Sequence, residues 1–402
     1  MSGVPWLNAM YARNARQDSD NRTVRIGIVG VGSRGSYLTL FLKSTPGVEI
    51  IAFCDNYPPN FRNAAGLIGQ GAGGFTDYHD MLDMKELEGV IIATPLNEHA
   101  RISIDFLNAG KHVFCEKAMA MTFEDCRRMV EAQRASGKIL QIGHQRLFDI
   151  KYLKALEQIR SGKIGRVTQI RAYWHRNNDW RRPVPAPGLE RKINWRLYRE
   201  YSRGLMTELA SHQLQVANWV LGEVPESVSG SGSINYWHDG REVYDNVNLV
   251  YRYPSGTHVI YDSMTSNKKY GYEEQIMGPK GTLELEAGKI FEEFPPPAPG
   301  ILQLINQIEN KLFEAVPIGG PSWVPEDPSE DKGDYLVREV LDSDGTDMEI
   351  VAFAQAVRSG VQSGELLRQA YYASITSLLG DEAMLQGRIL DWPVEYDLNF
   401  EP

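Results

Sequence analysis

The fold of this chain is decided by one stretch near its start, Arg25-Ile26-Gly27-Ile28-Val29-Gly30-Val31-Gly32-Ser33-Arg34-Gly35. An apolar strand runs here into a glycine-rich turn and then into a helix, which is the context in which G-x-G-x-x-G binds a dinucleotide. Gly30 permits the tight turn, Gly32 lets the backbone approach a pyrophosphate, and Gly35 lets the helix pack on the strand. Ser33 and Arg34 open that helix, whose N-terminal N–H groups would face the phosphates.

A second apolar strand, Val48–Phe53, ends just before Asp55, twenty residues after the last glycine of the motif. A carboxylate at this place binds the adenosine ribose in dinucleotide-binding folds, so Asp55 completes the predicted cofactor site. Asn56 and Tyr57 follow without a nearby basic residue, which favours NAD over NADP, although Arg34 in the turn offers a positive charge. The alternative interpretation is a strand-turn-helix unit that binds nothing.

The composition indicates a globular protein that handles small molecules. The chain has 402 residues, more than one core usually serves, so we expect two domains. A formal charge of −10 argues against a nucleic-acid or anionic-membrane partner. No apolar run reaches the roughly 18 residues of a membrane span. We therefore expect neither nucleic acid nor membrane among its partners.

The three cysteines, Cys54, Cys115 and Cys126, form no metal-type spacing and leave an odd thiol. They indicate neither a disulfide framework nor a zinc site, and we predict no metal. A reducing compartment fits this usage, so we expect a cytoplasmic protein.

The arm over residues 1–23, with the mixed stretch Val4–Met10, has no place in the nucleotide fold. It would be a docking arm or the remnant of a targeting segment, and in the second case the protein would be periplasmic.

Residues 24–148 are predicted to form a doubly wound parallel sheet, since short apolar strands alternate with helical stretches. Ligands of such sheets bind beyond the carboxyl ends of the strands, so the residues after each strand matter most. The predicted strands are Val24–Val29, Val48–Phe53, Val90–Ala93, His112–Cys115 and Ile139–Ile142, with a weaker one near Phe75. The residues after them that we expect to contact the cofactor are Thr94, Asn97, His99, Glu116, Lys117 and Gln145, with Asn97 also a candidate helix cap.

Residues 149–393 are predicted to form a second α/β domain with a large open, mainly antiparallel sheet. A Pro- and Gly-rich stretch over residues 295–345, with the amphipathic segment Ile301–Phe313, is interpreted as an excursion, and residues 394–402 as a tail. The predicted strands are Val167–Trp174, Asn246–Tyr253, Thr257–Met264, Glu273–Met277 and Thr282–Glu286. The predicted helices cover about Ile150–Ser161, Leu205–Leu221, Met348–Arg358 and Glu365–Gln386.

Lys117 directly follows the strand His112–Cys115, which places its ammonium at the crevice that the nicotinamide end of a cofactor would reach. A lysine there can bond a substrate hydroxyl and stabilise the alkoxide character that develops during oxidation. An ordinary surface pair of Glu116 and Lys117 is the alternative.

Glu208 and His212 are four residues apart on one predicted helix and therefore share a face. His212 is of the residue type that titrates near neutrality and could take the hydroxyl proton, while Glu208 could orient the imidazole. A solvated pair on the helix surface is the alternative, and a zinc site lacks further ligands at a suitable spacing.

A group of aromatic and polar side chains follows the first strand of the second domain, and it suits a sugar because aromatic faces and planar donors bind hydroxylated rings. Packing between the domains is the alternative interpretation. The group contains Tyr173, Trp174, His175, Trp180, Asn194, Trp195 and Arg196. The residues that we expect to contact the substrate are Tyr173, His175, Trp195, Arg196 and His212.

Five motifs belong together: Gly30–Gly35, Ala93-Thr94-Pro95 with His99, Glu116-Lys117, Gly143-His144-Gln145-Arg146, and Gly204 through His212. Jointly they resemble the glucose-fructose oxidoreductase/inositol dehydrogenase/MocA family, over about residues 24 to 393. The resemblance implies a Rossmann domain, then an α/β domain whose open sheet joins copies into a homo-oligomer. It also implies bound NAD or NADP and a carbohydrate or polyol substrate. In such proteins a lysine and a histidine serve the reacting hydroxyl, and here they match Lys117 and His212.

Three positions depart from the family pattern. Ala118 stands where proline is usual, so the backbone of the lysine is held less rigidly. Glu208 replaces the usual aspartate, and Gln215 stands where a second aspartate is common. The acid-base set is therefore a modified one.

We expect an NAD-dependent oxidoreductase that acts on a hydroxyl of a sugar, glycoside or polyol by hydride transfer, with Lys117 and His212 assisting loss of the proton. The family resembles a further group that keeps NAD bound, oxidises a sugar transiently and hydrolyses or eliminates at the neighbouring bond. A glycosidase or lyase with recycled NAD is therefore the alternative. A third hypothesis, an NAD-binding sensor without turnover, is disfavoured by the intact Lys117 and His212.

Overall fold

Two β-sheets organise the chain. The computed structural model describes residues 22–293, 332–337 and 343–400. The arm over residues 1–21, the amphipathic segment Ile301–Phe313, most of the excursion over residues 295–345 and the last two residues of the tail lie outside the described residues.

The first sheet is six-stranded and parallel, in the order β3-β2-β1-β4-β5-β6 that is typical of a doubly wound dinucleotide-binding fold. Its strands are almost wholly buried at the centre, as expected for a sheet covered on both faces. The strands are β1 (Val24–Val29), β2 (Val48–Cys54), β3 (Gly73–Phe75), β4 (Gly89–Ile92), β5 (His112–Glu116) and β6 (Leu140–Gly143). The helices between them are α1 (Ser33–Ser44), α2 (Pro58–Ile68), α3 (His99–Asn108) and α4 (Phe123–Ser136). The predicted parallel sheet is confirmed.

The glycine turn has the geometry that the motif predicts. Gly30 adopts φ 84°, a left-handed conformation that L side chains rarely take. A Cβ added to Gly35 would lie 2.0 Å from the carbonyl oxygen of Gly30, so only glycine allows α1 to approach the turn. A Cβ on Gly32 would have no neighbour closer than Asn60 Nδ2 at 3.6 Å. Gly30 and Gly35 therefore serve the fold, whereas Gly32 leaves room for a ligand.

The second sheet is open and has nine strands among the described residues, in the order β14-β13-β12-β11-β7-β10-β9-β8-β15. Only the central pair β7 and β10 is parallel, so the mainly antiparallel sheet is confirmed. The strands are β7 (Gln169–His175), β8 (Ser227–Ser233), β9 (Asn246–Arg252), β10 (His258–Met264), β11 (Tyr272–Gly278), β12 (Gly281–Glu284), β13 (Lys289–Glu292), β14 (Asp334–Tyr335) and β15 (Leu390–Asp391).

Five helices follow the first sheet among the described residues. The predicted helix over Leu205–Leu221 consists of two pieces, a π-helical turn over Met206–Ala210 followed by a regular helix. Helices after the first sheet are α5 (Ile150–Arg160), the short α6 (Glu190–Ile193), α7 (Ser211–Leu221), α8 (Thr346–Ser359) and α9 (Gly364–Gln386).

The last two helices return to the first sheet. Ile350 and Phe353 of α8 are buried with side chains of β1 and α1, and Tyr371 and Ile375 of α9 are buried with those of β6 and α4. Other residues of α9 join the core beneath the second sheet. The C-terminal segment thus completes the cores of both sheets, and the domain boundaries at residues 148 and 393 stay a prediction.

None of the helices in the described ranges is long and apolar enough to cross a membrane.

We expect Gly35→Ala to destabilise the protein by about 1 to 3 kcal/mol, because its Cβ would collide with the Gly30 carbonyl. Thermal unfolding followed by circular dichroism measures this effect. Gly32→Ala is the matched control, since its Cβ has open space. It should keep the melting temperature and lose affinity for NADH in a fluorescence titration. Equal melting temperatures for both variants would contradict the assigned roles of the two glycines.

Candidate active site

A cavity of about 1280 Å³ lies between the carboxyl ends of the first sheet and the second domain. Its volume exceeds what a sugar ring alone needs and suits a dinucleotide with a small partner. Most of the residues predicted to form the site line it: Gly30, Gly32, Ser33, Arg34, Asp55, Thr94, Asn97, His99, Glu116, Lys117, Gln145, Trp195, Arg196, Glu208 and His212.

One end of the cavity is suited to an anionic nucleotide. Helix α1 begins there after Gly32 with no side-chain cap and no acidic residue in its first turn, so its N–H groups are free for phosphate oxygens. Asp55 follows β2, and its Oδ2 accepts from the Val31 N–H at 2.8 Å while Oδ1 accepts from the Tyr57 N–H at 2.8 Å. The carboxylate is therefore held in place at the end where an adenosine ribose would bind.

The middle of the cavity contains three buried polar atoms without a hydrogen-bond partner among the described residues. They are Thr94 Oγ1, Asn97 Oδ1 and Gln145 Oε1. Buried polar groups are normally paired, so these atoms fit a polar ligand such as a dinucleotide. The prediction that Asn97 caps a helix is wrong, because Asn97 lies inside a 3₁₀ turn over Leu96–Glu98 and caps nothing.

His99 lines the cavity, and both of its ring nitrogens face backbone carbonyls. It is 2% exposed, and its ring nitrogens lie 2.9 Å from the Ala118 carbonyl and 3.1 Å from the Thr94 carbonyl. Burial lowers its pKa, so the neutral ring donates to one of the two carbonyls. The Lys117–Ala118 peptide bond is cis.

The guanidinium of Arg34 forms ion pairs with two carboxylates at the base of the cavity. Its Nε lies 2.5 Å from Glu116 Oε1, and its Nη2 lies 3.4 Å from Glu349 of α8. Glu349 is fully buried, and burial followed by the charge of Glu116 raises its pKa well above the ordinary value. With its guanidinium engaged in this way, Arg34 no longer argues for NADP.

Lys117 connects the two domains. Its Nζ donates to the Glu208 carbonyl at 2.7 Å and to the Thr207 carbonyl at 3.3 Å, both in the π-helical turn. A π-turn leaves carbonyls unpaired in the regular helical pattern, and such turns occur often at functional sites. Burial lowers the pKa of Lys117, although the charges of Glu208 and Glu116 oppose this effect.

Glu208 pairs with Arg196 rather than with His212. Arg196 Nε lies 2.7 Å from Glu208 Oε2, and the Ser202 hydroxyl lies 3.5 Å from Oε1. Burial alone would raise the pKa of Glu208, but the charges of Arg196 and Lys117 lower it below the ordinary value. The expected orientation of the imidazole by Glu208 is absent from the contacts of the described residues, since its carboxylate is turned to Arg196.

His212 is 8% exposed and lines the cavity one turn after the carbonyls that hold Lys117. Its Nδ1 is buried without a partner among the described residues, and its ring lies 6.3 Å from the ring of His144 and 5.8 Å from that of Trp174. Burial, then the charges of Lys117 and Arg146, lower its pKa well below the ordinary value. His212 is therefore a neutral imidazole that can accept a proton.

His144 is a second neutral imidazole behind His212. It is 1% exposed, neither ring nitrogen has a partner among the described residues, and burial lowers its pKa to about 3. The sequence placed it in a motif but gave it no role.

Two of the expected substrate residues lie on the wrong face of their strand. Side chains alternate along β7, and Tyr173 and His175 project from the open face of the sheet, where His175 pairs with Asp262 of β10. Neither lines the cavity. Trp174 projects to the other face and contacts His212. The sequence located the strand correctly, but the side of the sheet that holds the site was not visible in it.

Residues 176–196, which we name the strap, cross the mouth of the cavity from the second domain to the first. Arg182 Nη1 donates to the Ser33 hydroxyl at 3.2 Å, beside the glycine turn. Lys192 Nζ donates to the Asn56 carbonyl at 3.1 Å, beside Asp55. The buried Asn194 fixes this arrangement, because its amide bonds both the N–H and the carbonyl of Arg182.

These strap contacts were missed at the sequence level. A cluster of basic and aromatic residues was visible between 174 and 196, but contact with a motif some 150 residues earlier depends on domain packing.

No group of three or more metal-ligating side chains occurs in the described ranges of the chain.

This fold and this cavity define a two-domain, dinucleotide-dependent oxidoreductase. The model of an oxidoreductase family with an NAD-binding Rossmann fold matches residues 24–144, and the GFO/IDH/MocA C-terminal domain matches residues 152–284. The chain belongs to this Gfo/Idh/MocA family and is an NAD-binding enzyme of the oxidoreductase class.

Known proteins agree with this assignment. An inositol 2-dehydrogenase of Salmonella paratyphi B is 31% identical over 272 residues, which cover 65% of this chain and 74% of that protein. A levoglucosan dehydrogenase in complex with NADH superposes with a TM-score of 0.70 at 19% identity, over 92% of this chain and 100% of that one. A myo-inositol 2-dehydrogenase from Lactobacillus plantarum gives a TM-score of 0.69 at 17% identity, over 92% and 100%. At this level of identity the two structures show a shared fold.

We expect His212 to remain neutral from about pH 8 to pH 5.5, where an ordinary histidine with a pKa of about 6.5 becomes protonated. NMR titration of the ring carbons of the eight histidines, assigned with His212→Gln, measures this. Lys117→Met removes a nearby positive charge and should move the pKa of His212 upward. The urea-unfolded chain is the control. A pKa between about 6 and 7 in the folded wild type would contradict the assigned neutral state.

Proposed function

We propose that this protein oxidises a hydroxyl of a sugar or polyol, with NAD as the acceptor. The observation that carries the proposal is one cavity with an ammonium and a neutral imidazole at one end and the glycine turn and Asp55 at the other. The names of relatives, inositol 2-dehydrogenase and levoglucosan dehydrogenase, support a polyhydroxylated substrate.

NAD, when bound, supplies the two-electron acceptor for this oxidation. The residues that fit it are the turn Gly30–Gly35, Asp55, Thr94, Asn97 and Gln145, because they offer free N–H groups, a held carboxylate and unpaired polar atoms.

Lys117 would bind the substrate oxygen. An ammonium has three N–H donors, and the carbonyls of Thr207 and Glu208 accept two of them. The third donor is free for a hydroxyl in the cavity. Its charge would stabilise the negative charge that develops on that oxygen, and low solvent access strengthens the effect.

His212 would take the hydroxyl proton. A base must be unprotonated before the reaction, and the lowered pKa of His212 keeps its imidazole in that state. Glu208 and Arg196 neutralise each other nearby, so neither competes for the proton. Trp195 and Arg196 offer an aromatic face and planar donors to the rest of the sugar.

We expect Lys117→Met and His212→Asn each to lower kcat/KM by about 10² to 10⁴, because each removes a group that acts on the reacting oxygen. The rate of NADH formation with a panel of inositols and aldoses measures activity. NADH affinity, measured by fluorescence, should change less than about threefold. Lys280→Met and His258→Gln, both exposed, are matched controls. Full activity in either active-site variant would remove the mechanism.

A second candidate function is a glycosidase or lyase that keeps and recycles its NAD. The strap favours it, because Arg182 and Lys192 bridge the mouth of the cleft beside the glycine turn and beside Asp55. A dinucleotide bound beneath these contacts could leave only after they break. Net NADH production with free sugars supports the first candidate, and cleavage of a glycoside without net NADH supports the second.

We expect the double variant Arg182→Gln, Lys192→Gln to release NADH about tenfold faster than the wild type, because both contacts across the cleft are lost. Stopped-flow displacement of NADH by NAD measures the rate. Arg166→Gln is the control, since Arg166 donates to the Ser255 carbonyl away from the cavity. An unchanged release rate in the double variant would show that the strap does not retain the cofactor.

We also propose that copies of the chain associate through the open sheet and that the protein works in the cytoplasm. Association is supported by the outward positions of β9 and β10, which include the apolar Val250, 38% exposed, and Ile260.

The cytoplasmic location is supported by the cysteines, because all three are buried free thiols, which suits a reducing compartment.

A further inference from the structure

Two of the arginines that line the cavity, Arg182 and Arg176, lack a carboxylate partner among the described residues. Five of the seven cavity arginines pair with a glutamate, and Arg182 bonds Ser33. The seventh, Arg176, is partly buried and forms no ion pair with any of the described residues. Burial lowers its pKa, and only tyrosines act against this. A partly desolvated cation without a counter-ion costs free energy, so its retention indicates a ligand.

Arg176 stands at the substrate end of the cavity. Its guanidinium carbon lies 5.2 Å from the ring centre of Trp174, and that ring lies 5.8 Å from the ring of His212. The indole of Trp174 therefore lies next to both the guanidinium of Arg176 and the imidazole of His212. The diphosphate of the cofactor would bind elsewhere, at the glycine turn where Arg182 contacts Ser33.

We propose that the substrate is an acidic sugar, whose carboxylate is bound by Arg176 while its reacting hydroxyl meets Lys117 and His212. The guanidinium presents a planar fork of donors that matches a carboxylate with two parallel hydrogen bonds. Trp174, stacked on Tyr272 at 4.8 Å, provides a rigid aromatic surface beside the fork. This inference rests on the proposed function and names its substrate class.

The experiment compares neutral sugars with their acids, such as glucose with glucuronate and galactose with galacturonate, at equal ionic strength. Sugar phosphates and sulfated sugars form separate arms, because they share the anionic chemistry. We expect the wild type to prefer a uronate by at least about tenfold in kcat/KM, because a hydrogen bond to a charged group stabilises a complex by at least about that factor. Arg176→Met should remove this preference through KM and leave neutral sugars within about twofold.

Arg171→Met is the matched control, because Arg171 lies on the same strand and is exposed on the open face. Arg176→Lys should restore only part of the preference, since it keeps the charge and loses the fork. A wild type that favours neutral sugars, or a preference for phosphate or sulfate alone, would overturn the carboxylate assignment while the proposed oxidation stands.

Binding decides the question if no sugar is oxidised. Calorimetric titration of uronate into the NADH-bound protein should show binding in the wild type and in Arg171→Met, and about tenfold weaker binding in Arg176→Met. Uronate binding that is absent, or equal in all three proteins, would overturn the proposal. Failure of oxidation with retained uronate binding would count against the proposed function alone.

Discussion

The two hydrogen bonds from the Lys117 ammonium to the carbonyls of Thr207 and Glu208 are the contact on which the site depends. A partly buried ammonium needs acceptors, and a regular helix would use these carbonyls for its own hydrogen bonds. The π-helical turn presents them to Lys117 instead. Since Lys117 ends a strand of the first sheet and the turn opens α7, the position of the ammonium is fixed by the packing of one domain on the other.

Burial, with nearby positive charge added to it, explains why His212 and His144 stay neutral. Arg34 is held by Glu116 and Arg196 by Glu208, so their charges largely cancel within a few ångströms. Lys117 has neutral carbonyl partners for its hydrogen bonds, and its charge, with that of Arg146, adds to burial in disfavouring protonation of His212. The neutral state of these rings thus comes first from burial and second from the nearby cations.

The sequence predicted the fold well because the first sheet depends on local signals. Short stretches of sequence determine the glycine turn, the apolar strands and the cap of α4. In that cap the Thr122 hydroxyl accepts from the Asp125 N–H. Strand β8, Ser227–Ser233, was missed because serine and glycine give no apolar alternation, and its pairing with β9 defines it instead.

The site was predicted in part for the same reason. Lys117 and His212 follow from motifs, whereas the face of β7 does not: a period of two leaves two choices, and Tyr173 and His175 were chosen although Trp174, on the other face, is the residue that contacts His212. The pairing of Glu208 with Arg196 depends on a π-turn, which changes the side chains that share a helix face. Residue propensities do not predict such a turn. Contacts of the strap with Ser33 and Asn56 required the packed domains.

Under the proposed function, cofactor and substrate would be bound largely by different parts of the chain, and this separation bears on how such an enzyme is specialised. The first sheet supplies the nucleotide residues at its strand ends, while Arg176, Trp195 and Arg196 all come from the strap. Changes in one connecting segment can therefore alter the substrate without touching the redox chemistry. Because Arg182 and Lys192 of that segment also contact the nucleotide domain, a strap reshaped for another substrate would alter cofactor release as well. The proposed roles of the strap would thus couple substrate choice and cofactor retention through one segment of the chain.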